Sequence, residues 1–314
     1  MGVGVAAALR RRRDSGASGP PFDDGLRIAL VAEGGAMRGV IAGGMVSAIE
    51  AAGLGHCFDL MIGTSAGACA LAYLRAGQAR FGTRIFYEDI NNRAFIDPLR
   101  ALRGRPVVDI DFLVDRVFAA VKPLDRQRLA EPGPELVATA TDVRAAETVY
   151  LTGFGAPGRA LEILRATTQM PLLAAGPVAL DGRRLLDGGV LNHLPLMEAL
   201  ARGATHALVI LTRSPDAPAL RRPPWAERRL LPRRLHRLYG PQLAERARAE
   251  AEHYRALYRA LPPLRAICLN GAHVLAVGPA ASEPAVGRTE KSALRLRAAA
   301  AHAEARMRQA LEAP

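Results

Sequence analysis

The chain has 314 residues, half of them apolar, with 42 Lys and Arg against 30 Asp and Glu, a formal charge of +12. That length allows one large core or two domains, and the composition fits a globular protein rather than a disordered or fibrous one. No stretch reaches the ~20 uninterrupted apolar residues of a membrane-spanning helix, and the odd set Cys57, Cys69 and Cys268 has neither a disulfide-like count nor metal-like spacing, which fits reduced thiols in a cytoplasmic protein.

Residues 1–24 read as a mobile basic tail. Arg10 to Arg13 follow the short apolar start, the reverse of a secretory signal, and Gly16 to Pro21 is rich in Gly, Ser and Pro. Residues 26–32 are short, apolar and branched, the pattern of a buried strand. They run into Glu33-Gly34-Gly35-Ala36-Met37-Arg38-Gly39. Ile41, Met45 and Ile49 then recur at four-residue spacing, which predicts a helix. A second strand, 58–62, leads into Gly63-Thr64-Ser65-Ala66-Gly67 and a small-residue helix over 66–76. Strand, loop and helix occur twice within 80 residues. This predicts an α/β fold: a mostly parallel central sheet with helices on both faces. In such sheets ligand sites gather at the carboxyl ends of the strands, where both loops lie.

Residues 80–130 are mixed, helical and irregular, and suit a lid or cap. Residues 135–141 and 147–151 predict two strands around a turn at Asp142. A helix is expected over 161–168, stopped by Pro171, and a hairpin over 178–187 that delivers Asp187 at its end. Residues 207–212 predict another buried strand. The domain expectation is a tail at 1–24, a central domain at 25–213, an Arg/Pro-rich excursion at 214–237 and a helical C-terminal part at 238–314. That last part contains helices near 242–261 and 291–311 and a short strand at 273–277.

The charge is nearly all arginine, with pairs at Arg221-Arg222, Arg228-Arg229 and Arg233-Arg234 around Trp225. Such a surface suits anionic partners (phospholipid headgroups, nucleic acid or acidic proteins) and allows peripheral contact at an anionic membrane, or is simply a solvated face. No nucleic-acid motif accompanies it, so no nucleic acid is expected.

A serine between two glycines at a strand-to-helix turn is exposed as a nucleophile. Its hydroxyl needs a base, and the oxyanion it creates needs preplaced donors. Asp187 in Asp187-Gly188-Gly189 is the sharpest base candidate, because the glycines permit close approach of the backbone. The loop Gly34, Gly35, Ala36, Met37, Arg38, Gly39 can converge backbone N–H groups, helped by the helix that follows it. His193 could complete a triad, although a loop histidine is the simpler reading. Arg38 could serve the oxyanion region or pair with Glu33. His206, Asp142 and Asp59 read as structural.

These three segments, in this order, resemble the patatin-like phospholipases. That family carries an Asp/Glu-Gly-Gly-Gly-x-Arg-Gly loop, a Gly-x-Ser-x-Gly elbow and an Asp-Gly-Gly/Ala turn. Asn192 to Pro195 is similar to the Asn-x-Pro that follows the aspartate there. The resemblance covers about residues 26–212. It implies a three-layer α/β/α fold and hydrolysis of acyl-ester lipids by a Ser65–Asp187 dyad, with no metal and no cofactor. It also implies an oxyanion hole at 34–39, an elbow formed by Gly63, Thr64, Ala66 and Gly67, and a base turn at Gly188 and Gly189. Ala36 departs from the third glycine of the family loop, and a positive φ there would strain it by roughly 1 kcal/mol or more.

Two other readings compete. A dinucleotide-binding loop lacks its middle glycine at Ala36, and Glu50 falls inside a helix rather than at a strand end. A catalytically weak or silent relative that binds lipid or protein has Ala36 as its support.

Overall fold

The fold is that of a computed structural model, which describes residues 3–214, 217 and 229–313. The strands are β1 (Ile28–Ala32), β2 (Leu60–Thr64), β3 (Glu135–Asp142), β4 (Glu147–Leu151), β5 (Val178–Leu180), β6 (Arg183–Asp187), β7 (His206–Ile210), β8 (Ala266–Leu269) and β9 (Ala272–Val277). The helices are α1 (Val5–Asp14), α2 (Gly39–Ala51), α3 (Ala66–Arg75), α4 (Ala79–Thr83), α5 (Ile85–Glu88), α6 (Arg126–Ala130) and α7 (Arg159–Thr168). They continue with α8 (Leu196–Ala201), α9 (Leu231–Tyr239), α10 (Pro241–Ala260) and α11 (Ala293–Glu312).

All nine described strands join one sheet in the order β5–β6–β3–β2–β1–β7–β9–β8, with β4 paired to β3. The centre, β3–β2–β1–β7–β9, is parallel, and the β4, β5–β6 and β8 pairings are antiparallel. Strand β1 explains why helices cover both faces. All five of its residues are buried, and alternate side chains enter different cores: Ile28, Leu30 and Ala32 one, Ala29 and Val31 the other. A strand apolar on both faces is stable only between two layers. The first core also takes α1, α2, α3, α7 and α11, and the second takes α8 and α10. The result is the expected α/β/α sandwich.

Three expectations need correction. Residues 5–14 form a helix, with Val5, Ala8 and Leu9 buried in the main core. Arg12 holds that helix in place. Its guanidinium pairs with Asp24 and Asp59, both at 2.7 Å, and donates to the carbonyls of Cys57 and Leu26. The basic run that reads as a solvated tail therefore contains a buried cation with its partners supplied. Second, the strand expected at 273–277 is present as β9, but residues 238–314 do more than pack helices on the domain: β9 lies parallel to β7, and the unforeseen β8 pairs with it, so both extend the central sheet. Third, the end of the 214–237 excursion is ordered as α9, with Leu235 fully buried. Arg221, Arg222, Trp225 and Arg228 lie outside the described residues.

The cap region, residues 79–130, holds α4, α5, a 3-10 helix (Pro98–Arg103), a π-helix (Phe112–Val121) and α6. Phe86, Ile90, Phe95, Ile110 and Phe118 from this region turn inward and line a cavity of about 720 Å³.

Candidate active site

Ser65 sits between β2 and α3, at φ +52° and ψ −124°, a backbone state that costs a non-glycine residue on the order of 1–3 kcal/mol. Its neighbours have no room for larger side chains. A Cβ on Gly63 would lie 2.7 Å from Ala68 N, and one on Gly67 2.6 Å from Glu33 O. Helix α3 starts at the next residue, so its positive end faces the serine.

Sheet register brings the carboxylate to the hydroxyl. Along β3, Thr139 pairs with Thr64 of β2 and Ala140 pairs with Asp187 of β6. Residues 122 apart in sequence therefore become neighbours, and Ser65 Oγ donates to Asp187 Oδ2 at 2.7 Å. Asp187 Oδ1 accepts from Gly189 N at 2.7 Å, so the turn after the aspartate fixes its own side chain. Gly188 packs directly on Thr139, where no Cβ would fit. Both side chains line the cavity yet are buried. Burial pushes the Asp187 carboxyl up to about 6, against the opposing pull of the Ser65 and Gly189 hydrogen bonds and of nearby Arg288.

A threonine lattice supports the pair. Thr167 Oγ1 accepts from Ser65 N at 2.9 Å and donates to Thr139 O at 2.6 Å. Thr64 and Thr139 share a hydroxyl bond of 2.7 Å, and Thr141 Oγ1 donates to Asp187 O. Thr139, Thr141 and Thr167 are absent from the sequence-derived site. The polar side chains at 139 and 141 in an otherwise buried strand were the available signal, since buried hydroxyls need partners.

The glycine-rich loop lies alongside, and most of its amides are occupied. Gly34 N donates to His193 O, Met37 N to Arg288 O and Arg38 N to Gly35 O. Gly39 N turns back to Ala36 O. Only the amides of Gly35 and Ala36 lack an acceptor among the described residues. Ala36 has φ +51°, so the residue that replaces glycine in the family pattern does occupy the left-handed region.

Glu33 anchors the start of that loop. It is fully buried and accepts from Tyr254 Oη, Tyr258 Oη and Thr212 N. Burial first, and the nearby Glu33 next, push both phenols well above their usual range, so they stay protonated as donors. Arg38 does not pair with Glu33 as one reading had it. It is buried against the cavity with its Nε unpartnered among the described residues, and burial, then the neighbouring Arg213, draw it down to about 10.

Among the described residues His193 makes no hydrogen bond to Ser65 or Asp187. Its backbone N donates to Glu250 Oε1 at 3.2 Å, its ring packs on Tyr254 with centroids 4.9 Å apart, and its Nδ1 has no partner among the described residues. Burial and then three arginines hold its pKa down to about 3, so the ring is neutral at ordinary pH. Glu250 is pushed up to about 7 by burial. His206 bonds Thr205 and Val3 O, and Asp142 caps the turn amides of Arg144 and Ala145; both are structural. Among the described residues no three His, Cys, Asp or Glu side chains converge as a metal site would need.

A sequence model described as patatin-like phospholipase matches residues 30–200. The chain belongs to that family. The uncharacterized protein YjjU of Escherichia coli K12 is 34% identical over 197 residues, 61% of this chain and 53% of the relative. The chain thus spans about half the length of the curated relative it matches. Among solved structures, VipD of Legionella pneumophila is 12% identical with a TM-score of 0.47, covering 91% of this chain and 67% of the other. A human GIVD cytosolic phospholipase A2, solved with methyl gamma-linolenyl fluorophosphonate, is 13% identical with a TM-score of 0.49, covering 98% and 62%. The matched stretch contains the patatin-like loop, elbow and base turn. Tyr254, Tyr258, Arg213 and Arg288 lie beyond it.

Proposed function

We propose that this chain is a serine hydrolase of acyl-ester lipids, with Ser65 as nucleophile and Asp187 as base. The observation that carries this reading is the 2.7 Å bond from Ser65 Oγ to Asp187 Oδ2, on the wall of a cavity lined mainly by apolar side chains. Asp187 takes the hydroxyl proton as Oγ bonds to the acyl carbon. The carbonyl electron pair moves onto oxygen, where the amides of Gly35 and Ala36 donate; one such donor is worth about 3 kcal/mol. Collapse of the tetrahedral species breaks the bond to the leaving alcohol, and Asp187 returns the proton to it. A water molecule then repeats the sequence on the acyl-serine and frees the fatty acid.

The aromatic and aliphatic cap suits a fatty acyl chain better than a polar one. Helix α9 supports work at an anionic lipid surface: Leu231 and Leu235 turn to the cavity, while Arg233, Arg234 and Arg237 are exposed. Among the described residues no helix is long and apolar enough to cross a membrane. Three free cysteines support a reducing compartment, the cytoplasm.

An alkyl fluorophosphonate tests the reading. It labels Ser65 covalently in the wild type and leaves Ser65→Ala unlabelled. Asp187→Asn loses p-nitrophenyl ester hydrolysis by about 10³-fold or more, whereas His193→Ala keeps most of it. Absence of labelling in folded wild-type protein would leave the silent lipid-binding relative as the better description.

A further inference from the structure

One part of the cap stands outside the catalytic account. Ile96 and Val108 bridge antiparallel, and Asp97 N donates to Val107 O at 2.9 Å, so residues 96–108 form a hairpin. Its stem lines the cavity through Ile96 and Val108. Its tip is the 3-10 helix Pro98–Arg103, which buries no residue. Leu99 is 56% exposed and Leu102 84% exposed. The tip is held in shape: Asp97 caps it through Leu99 N, and Arg100 turns back to the carbonyls of Arg93 and Ala94. Two leucines are therefore presented to water on an ordered support, which folding alone does not reward.

The surroundings say what covers them. Arg103 and Arg105 are exposed beside the leucines and have no ion-pair partner among the described residues. Val108 N donates to Leu173 O at 2.9 Å, and Leu173 is both partly exposed and part of the cavity lining. The hairpin stem is thus joined to the cavity wall. Leucine flanked by unpaired arginine matches the boundary between acyl chains and anionic headgroups. A second copy of this chain would instead set the same arginines against each other.

We propose that the tip at residues 98–105 anchors the protein to an anionic phospholipid bilayer, with Leu99 and Leu102 among the acyl chains and Arg103 and Arg105 at the phosphate level. The link to the cavity rests on the lipid-hydrolase reading, so the test avoids turnover by using Ser65→Ala protein. Its partition onto vesicles of mixed phosphatidylglycerol and phosphatidylcholine is measured by sedimentation. Each leucine moved into the acyl region is worth roughly tenfold in partition, and each arginine at the surface several-fold. Leu99→Ser with Leu102→Ser is expected to weaken binding at least tenfold. Arg103→Glu with Arg105→Glu should weaken it comparably and flatten its salt dependence. All four side chains are outside the core, and an unchanged unfolding midpoint checks that the fold is kept.

Unchanged partition of the double serine variant overturns the anchor. So does equal binding to pure phosphatidylcholine, or a dimer that dissolves on the leucine changes while vesicles are ignored. Vesicle binding that tracks the leucines in a protein whose Ser65 never labels would retire the hydrolase reading and keep the anchor. Labelling without leucine-dependent binding would do the opposite.

Discussion

Asp187 combines two properties that pull against each other. It accepts from Ser65 and Gly189, yet its burial lifts its pKa from 3.8 to about 6. Only the ionised form can take the serine proton. kcat/KM should therefore fall about tenfold per pH unit below about 6 and level off above it, while His193, already neutral, adds no second limb in that range. Stability moves the other way. A folded pKa raised above the unfolded one gives a contribution fully present below about 3.8 and lost as pH rises through about 6, a difference of up to about 3 kcal/mol. Asp187→Asn, which has no proton to lose, should be more stable than wild type at pH 8 and no different below pH 4; urea titrations at both pH values measure this. Ala36 carries a similar tension. At φ +51° a non-glycine residue costs roughly 1–2 kcal/mol, partly offset because glycine loses more backbone entropy on folding. Ala36→Gly should raise stability by about 0.5–1 kcal/mol, read from the unfolding midpoint.

At the scale of elements, α10 packs in the second core and reaches the start of the glycine-rich loop. Tyr254 and Tyr258 on this helix hold Glu33 at the exit of β1, and the residues after Glu33 supply the free amides. Tyr254→Phe or Tyr258→Phe leaves a buried carboxyl short of a donor and should cost about 1.5–3 kcal/mol. If the bond positions the loop, kcat falls while KM changes little, and steady-state kinetics separate that from simple destabilisation. The sequence disclosed the loops at the ends of β1, β2 and β6, because glycine spacing and strand patterns are local signals. It did not disclose the tyrosines, since a helix pattern says which face is apolar but not which distant carboxyl its hydroxyls meet. Strand β8, only four residues long and half-exposed, was invisible for a related reason: its pairing with β9, not its own pattern, makes it a strand.

For the whole molecule, the N-terminal helix is part of the core. Removing the Arg12 side chain leaves Asp24 and Asp59 without their cation and the Cys57 and Leu26 carbonyls without their donor, and should cost about 1.5–3 kcal/mol, measured as lost unfolding free energy for Arg12→Ala. A run of four arginines looked like solvent-facing charge because composition cannot show that one of them is enclosed. The parallel sheet, by contrast, was legible from the first 80 residues, where β1 and β2 are apolar on both faces and each feeds a small-residue helix. The tail end of the chain has a bearing on anyone dividing it. The family match stops at residue 200, yet the carboxyl at the start of the glycine-rich loop is gripped from residues 254 and 258. A fragment trimmed to the matched stretch, or grafted into another scaffold, would carry serine, aspartate and glycines intact and still arrive without the clamp that aims them.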